Sequence, residues 1–359
     1  MVNFNKYIIS ISTTIRDAVK KMDKTETQSL IVLENEKVAG VFTMGDFRRA
    51  VLNGLDINNE ILSIINRDYK YVDTNYTQQE LREIFLNNPM IIDVPVLDTQ
   101  KKLVNVINRD DYKNLFEDEL ITRGIAHASV VIMAGGKGTR MDPFTRILPK
   151  PLIPIGDKPI IQVIMDGFKN YGVDDFYISI NEKGEMIKAY FHDHDLPYGI
   201  KYIEEDKPRG TAGSLIKLDG IFKEPFFLSN CDIIIKSDYR SIWNFHLTGK
   251  YDLTLVASMR HYKIPYGICE LDNKGRLNEI KEKPEYDFLV NTGLYVINPD
   301  ILNLIPENDY FDMTDLIECL QKEGYNIGVF PVSEKSWVDV GQWTEYKKAL
   351  DELVSKDIN

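Results

Sequence analysis

The sequence predicts an α/β layered fold with a mostly parallel sheet over its larger, C-terminal part, preceded by a smaller α+β unit. Three observations predict it. From residue 129 onward, short apolar stretches alternate with amphipathic ones, the pattern of buried strands and covering helices. Ahead of them, residues 1–120 carry a weak internal repeat in which a helix, a strand-like hairpin and a second helix recur. The chain has 359 residues, 43% of them hydrophobic, enough for a substantial core and suggestive of two domains.

The totals also exclude some functions. With 43 Lys+Arg against 55 Asp+Glu, the net charge is −12, which argues against a nucleic-acid or anionic-membrane partner. No apolar run approaches the roughly 20 residues that span a bilayer. The N-terminus lacks a basic segment followed by a long apolar stretch, so no signal peptide is expected. Cys231, Cys269 and Cys319 are scattered without metal-ligand spacing, which fits a reducing, cytoplasmic setting.

In chain order, "TTIRDAVKKM" places Ile15, Ala18, Val19 and Met22 on one helical face, with Asp17 three residues after Thr14. "TQQELREIF" repeats the plan: Thr77 and Glu80 form a capping box ahead of the stripe Leu81, Ile84 and Phe85. The strand–hairpin–helix stretches that follow are "SLIVLENEKVAGVFTMGDFRRAVLNG" and "DVPVLDTQKKLVNVINRDDYKNLF". Together they resemble a pair of CBS modules (a Bateman domain), the first unit most clearly, through Gly40-Val41-Phe42-Thr43-Met44-Gly45-Asp46. The resemblance implies that Thr43 and Asp46 hold the phosphate and ribose of a regulatory adenine nucleotide. The second unit departs from the pattern, with Asn105 for the glycine and Asn108 for the hydroxyl residue, and keeps only Asp111. A ligand-free scaffold that joins chains into a homo-oligomer is the other reading.

A charged connector follows, with 121–128 expected as linker and 129–359 as the second domain. "SVVIMA" is apolar on both faces and reads as a central strand. "GGKGTR" stands at its carboxyl end, where open α/β sheets bind ligands. Glycines let successive N–H groups turn toward phosphate oxygens. Met141 rules out a dinucleotide fingerprint, and Gly138 after Lys137 rules out a P-loop. Helices are expected from Pro159 to Tyr171 and from Met186 to Phe191. "DFYISI", "FFLSN", "DLTLVASM", "NTGLYVI" and "NIGVFPV" are expected as strands, with a last helix from Gln342.

The string "AGGKGTRMDPFTRILPKPLIPIGDKPII" resembles the signature of the sugar nucleotidylyltransferases, a Rossmann-like fold, over about residues 128–350. The resemblance implies a glycine loop (Ala134, Gly135, Gly136, Gly138, Thr139) around a nucleoside triphosphate. It implies Arg140 at the leaving pyrophosphate and Lys150 at the α-phosphate. A divalent ion must shield the triphosphate before an anion can attack it. Asp232, after "PFFLSNC", and Asp339, in "SWVDVGQW", are the nominated Mg2+ ligands, with helix capping the bland alternative for each. "DKPRGTAGSLIKL" resembles the family's P-x-G-T-A-G segment, which implies Gly210 against the nucleobase and Thr211 at the start of a helix, with an ordinary glycine turn and Thr211 as N-cap the other reading; Glu204 and Glu205 are candidates for the base edge, and Asn181 for the base or the sugar. The resemblance also implies an acceptor side made of Gly267 from "PYGICELD", Glu282 and Lys283 from "IKEKPE", and Asn291, Thr292 and Gly293 from "NTGLYVI". "HDHD" at 192–195 reads as an exposed loop, and Cys231 as a small buried residue.

The expected reaction joins a hexose 1-phosphate to an NTP and releases pyrophosphate. A CBS pair ahead of such a domain resembles guanylyltransferases of bacterial nonulosonate (legionaminic acid) pathways, which implies GTP and glucosamine 1-phosphate. A uridylyl- or thymidylyltransferase is the runner-up, and an inactive nucleotide-sugar sensor the rival of another class.

Overall fold

The computed structural model describes residues 4–347 apart from 26, 53, 89–90, 110–124, 137, 182, 195, 273, 308, 342 and 344. Asp111, Lys137 and most of the expected C-terminal helix lie outside the described residues.

The N-terminal part holds two small sheets of the same design. β1 (Ile8–Ser10) runs parallel to β2 (Ser29–Glu34), which pairs antiparallel with β3 (Lys37–Thr43). After α1 (Ile15–Thr25) and α2 (Met44–Leu52) the plan returns. β4 (Val72–Asp73) is parallel to β5 (Asp93–Leu97), and β5 is antiparallel to β6 (Leu103–Asn108), with α3 (Gln78–Asn87) between β4 and β5. Both helix starts behave as their sequences demand. Thr14 Oγ1 donates to Asp17 and accepts its amide at 3.1 Å, and Thr77 and Glu80 form a full capping box. Ile15, Ala18, Val19 and Met22 are all buried under the first sheet.

The large domain is built on a seven-stranded sheet. Its elements, in order, start with β7 (Ser129–Met133), α4 (Phe144–Ile147) and the short hairpin β8 (Pro154–Ile155)–β9 (Lys158–Pro159). Next come α5 (Ile160–Lys169), β10 (Asp175–Ile180), α6 (Gly184–His192), β11 (Gly199–Glu204) and α7 (Gly210–Gly213). They are followed by β12 (Phe226–Asn230), β13 (Ile233–Ile235), α8 (Tyr239–Gly249), β14 (Leu253–Lys263), β15 (Ile268–Leu271), β16 (Leu277–Lys281) and β17 (Glu285–Ile297). α9 (Met313–Glu323), β18 (Ile327–Val332) and β19 (Trp337–Asp339) close the order.

The strand order is β11-β10-β7-β12-β17-β14-β18. It is mostly parallel, as its apolar strands predict, and β17 alone in that sheet runs against both neighbours. Side chains of β7 alternate between two cores. Val130 and Ile132 join Phe168, Phe227 and Trp243 on one face, and Val131 joins Leu215, Leu316 and Leu320 on the other. Ile125 and Ala128, expected as linker, are buried in the first of these cores, and the Ile125 amide bonds to Tyr171 O. The apolar pair leaves the charged connector to pack on the domain that follows.

Candidate active site

β7 lies between β10 and β12, all three parallel, so their carboxyl ends open together. There a cleft of ≈ 610 Å3 forms, with the glycine loop on one side and the 208–211 turn on the other. The loop is tight for a steric reason. Gly138 has φ +66°, and a Cβ on it would stand 3.0 Å from both Lys150 Cβ and Thr145 Cγ2. The glycine therefore lets the loop lie directly on the stem of Lys150. Gly135 sits over Glu205, whose Oε1 a Cβ would meet at 2.8 Å. Gly136, Thr139 and Arg140 complete this wall, while Ala134 is buried beneath it with its amide on Ser179 O.

The charged centre comes from three distant segments. β13 and β19 pair antiparallel with Ile233 opposite Asp339, and Val340 N donates to Asp232 O at 2.9 Å. That ladder brings the two aspartates side by side. Lys150 Nζ forms an ion pair with Asp232 Oδ2, and the Gly341 amide donates to Asp339 Oδ1 at 2.8 Å. A Cβ on Gly341 would fall 2.4 Å from Asp232 Oδ2, 2.9 Å from Asp339 Oδ1 and 2.9 Å from Lys150 Nζ. All three groups thus surround one glycine. Burial pushes the Asp339 carboxyl above the usual carboxylate range. The nearby Asp232 adds to this, while the Gly341 amide and the Lys150 and Arg140 cations oppose it. The C-terminal segment fastens across the signature loop, with Trp343 Nε1 on Asp142 O at 2.9 Å and Tyr346 Oη on Pro154 O at 2.6 Å.

The opposite wall is locked from behind. Gly210, at φ +82°, has Phe311 O only 2.5 Å from where its Cβ would be. The amides of Ala212 and Gly213 both bond to that carbonyl. Thr211 lies inside α7 instead of capping it. Its amide and hydroxyl both donate to Asp312 Oδ1, and its Oγ1 accepts the Met313 amide at the start of α9. Asp312, which also opens α9 in a capping box with Asp315, and the cleft-lining Tyr310 thus belong to the site's construction, although no motif in the sequence ties them to the 208–211 turn.

Several expected contacts fall elsewhere. Glu205 is buried and lines the cleft, held by the Ser179 hydroxyl. Its neighbour Glu204 faces the other way, exposed and paired with Lys188, because adjacent side chains of a strand point to opposite faces. Asn181 is not among the cleft-lining residues, and its carbonyl closes the turn to Gly184. Thr292 is buried, with its hydroxyl donating to Val256 O at 2.8 Å within the sheet. Gly293 makes room for another residue: a Cβ there would lie 2.4 Å from Asn230 Nδ2, and Asn230 lines the cleft. Exposed Asn291 donates to Tyr295 Oη. Gly267 and Glu282 do meet, with a Cβ on Gly267 3.0 Å from Glu282 Oε2, and Lys283 stands beside them. This group lies outside the residues that line the cleft. Cys231 is buried, which pushes its thiol up to about 12, an inert group.

In the N-terminal part, Thr43 donates through N and Oγ1 to Asp46 Oδ2 at 2.8 and 2.7 Å, and Arg49 pairs with Oδ1. Asp46, 2% exposed, thus organises the start of α2 from within. Thr43 lines a second cavity of ≈ 610 Å3 between the two small sheets, together with Arg49, Lys70 and Asp93. Ser241 of α8 and Asp238, which caps that helix, also line it, from the large domain.

The nucleotidyl transferase family model matches residues 129–356, and the CBS domain model matches residues 5–53. The mannose-1-phosphate guanyltransferase of Debaryomyces hansenii is 31% identical over 228 residues, covering 59% of this chain and 60% of its own. The UTP–glucose-1-phosphate uridylyltransferase of a Synechocystis species is 27% identical over 250 residues, covering 64% of each. The matches thus span only about 60% of the first of these relatives' length. The crystal structure of HddC from Yersinia pseudotuberculosis superposes with a TM-score of 0.51 at 24% identity, over 63% of this chain and 99% of that one, a likeness of fold. With its family model spanning the whole large domain, this chain belongs to the nucleotidyl transferase family and carries a CBS domain ahead of it.

Proposed function

We propose that the chain is a sugar-1-phosphate nucleotidylyltransferase that uses GTP. One observation carries this reading: Lys150, Asp232 and Asp339 converge around Gly341, directly beneath the glycine loop. In this reading the loop receives the triphosphate, Arg140 offsets charge on the departing pyrophosphate, and Lys150 does so at the α-phosphate. An oxygen of the sugar phosphate attacks the α-phosphorus in line, its P–O bond forms as the bond to pyrophosphate breaks, and no covalent enzyme intermediate is needed. Lys283 meets the acceptor phosphate, Gly267, Glu282 and Asn291 meet the sugar, and Gly210 and Glu205 flank the base.

The residues present suit Mg2+. Lys150 supplies one positive charge opposite two carboxylates, and burial already disfavours ionised Asp339. Among the described residues no group of three or more metal-binding side chains gathers, so Asp232 and Asp339 would hold the ion with phosphate and water oxygens as its other ligands. When bound, it shields the triphosphate's charge.

The guanyltransferase relatives favour GTP, and the CBS domain ahead of the catalytic one favours glucosamine 1-phosphate and a nonulosonate pathway. The Synechocystis relative favours a second reading, UTP with a hexose 1-phosphate. We further propose that residues 1–120 form a CBS pair that self-associates and takes an adenine nucleotide. Among the described residues no helix is long and apolar enough to cross a membrane, and we propose the cytoplasm as the chain's place of action. The test is a screen of four NTPs against a panel of hexose 1-phosphates, with the nucleotide-sugar detected by mass. GDP-sugar formation supports the reading, UDP-sugar selects the second, and no product from any pair rejects transferase activity.

A further inference from the structure

β14 and β17 pair along their whole length, but β14 has β18 on its other side only as far as Ser258. Beyond that point the two strands run on as a bare two-stranded ribbon, through Arg260 opposite Phe288 to Lys263 opposite Glu285. The ribbon carries the β15–β16 hairpin and with it Gly267, Glu282 and Lys283. Such a ribbon is marginal by itself in water. Arg260 ties it to its own domain through Glu334 at 2.7 Å and the face of Trp337, and the rest of its support comes from the other domain. Met259 is buried in the core of the first small sheet, among Ile15, Val19 and Met22. Arg16 of α1 pairs through Nη2 with Asp287 Oδ2 and reaches Glu285 Oε2 at 4.0 Å, where Lys20 also arrives at 3.0 Å.

The contacts are unequal. The Lys20 and Glu285 side chains are 39% and 35% exposed, and such pairs contribute little. The Arg16 and Asp287 side chains are 20% and 9% exposed, so loss of the guanidinium leaves a shielded carboxylate beside His261 with its main cation gone. Asp287 lies on β17 shortly after Lys283, on the strand that leads out of the acceptor turn.

We propose that Arg16, in the N-terminal domain, is a positioning residue for acceptor binding: it clamps the β14–β17 ribbon through Asp287 and so sets where Glu282 and Lys283 stand. This rests on the reading above that the ribbon's end receives the sugar phosphate. The test uses the full chain with Arg16→Met, which keeps an apolar stem, and the charge-exchanged double variant Arg16→Asp with Asp287→Arg. Hydrogen exchange of residues 264–284 is followed beside the KM for each substrate. Arg16→Met is expected to speed exchange there and to raise the sugar-phosphate KM about tenfold, with the NTP KM and the melting temperature little changed. The double variant is expected to recover part of both effects. Unchanged exchange in Arg16→Met overturns the clamp. Faster exchange with both KM values unchanged leaves the ribbon clamped but overturns its acceptor role, and the positioning role with it. A parallel rise of both KM values with a fall in melting temperature means general destabilisation and also overturns it.

Discussion

Lys150 and Asp232, 82 positions apart in sequence, meet as an ion pair whose side chains are only 12% and 16% exposed. The pair holds a cation at the floor of a cleft in a molecule of net charge −12. The lysine has been placed there by Gly138, which lies on its stem, and by the prolines on either side of it. Lys150→Ala and Asp232→Ala should each lower turnover about a hundredfold or more, the scale of losing one preorganised electrostatic group. Lys150→Arg should not restore the rate, because a guanidinium fork cannot occupy the site of a compact ammonium. Steady-state pyrophosphate release checks all three, and near-normal turnover in either alanine variant rejects the assignment.

The glycines of the cleft separate a folding role from a ligand role. Gly210 is strained by any side chain, since its φ is +82° and Phe311 O blocks the Cβ at 2.5 Å. Gly210→Ala should cost about 1–3 kcal/mol of stability, read as a lower thermal midpoint. Gly136 has no neighbour within 4 Å and no left-handed φ, so the free protein has no need of its missing side chain. Gly136→Ala should leave the midpoint unchanged and raise the NTP KM several-fold, because only a phosphate approaching the backbone meets the new methyl. An unchanged KM would remove Gly136 from the nucleotide site.

What the sequence made legible here was local. The strands of the repeat, its two capped helices, the central strand and the glycine loop are all written in contiguous residues, and the structure contains them; the second helix of the second unit lies outside the described residues. The contact between Asp232 and Asp339 was inferable only through the family likeness, because the β13–β19 ladder that makes it joins remote segments. Facing was the information missing. Glu204 is the last residue of β11 and Glu205 follows it directly, and only the way the chain leaves that strand decides that Glu205 enters the cleft. Asn291 and Thr292 pose the same problem on β17. Asp312 could be read locally only as the start of a helix, because its other role is to hold a turn about a hundred residues earlier in the chain.

The cavity between the small sheets offers Arg49 and Lys70 as cations and Thr43 at its wall, and it touches α8 of the large domain at Asp238 and Ser241. An adenine nucleotide there should give a calorimetric heat and change the transferase rate, since α8 follows β13, which pairs with the strand ending in Asp339. Arg49→Ala should weaken the heat and leave the rate in the absence of adenine nucleotide unaltered. If AMP, ADP and ATP all give no heat and no change of rate, the N-terminal pair is a scaffold.

His246 of α8 is 1% exposed and sits between Thr254 Oγ1 at 2.9 Å and Asn298 Oδ1 at 3.2 Å. Burial lowers its affinity for a proton below the ordinary value of 6.5, against a weaker opposing effect of Asn298 and Asp252. In the unfolded chain the imidazole regains that ordinary value, so as pH falls the unfolded state takes up the proton first. The neutral histidine's contribution is therefore complete above 6.5 and is lost progressively as pH falls through the lowered folded value. Urea midpoints should fall for the native protein between about pH 7.5 and about pH 5, and His246→Gln should flatten part of that decline while being less stable than the native protein at the upper end. Equal slopes in the two proteins would show that His246 remains free to protonate within the fold.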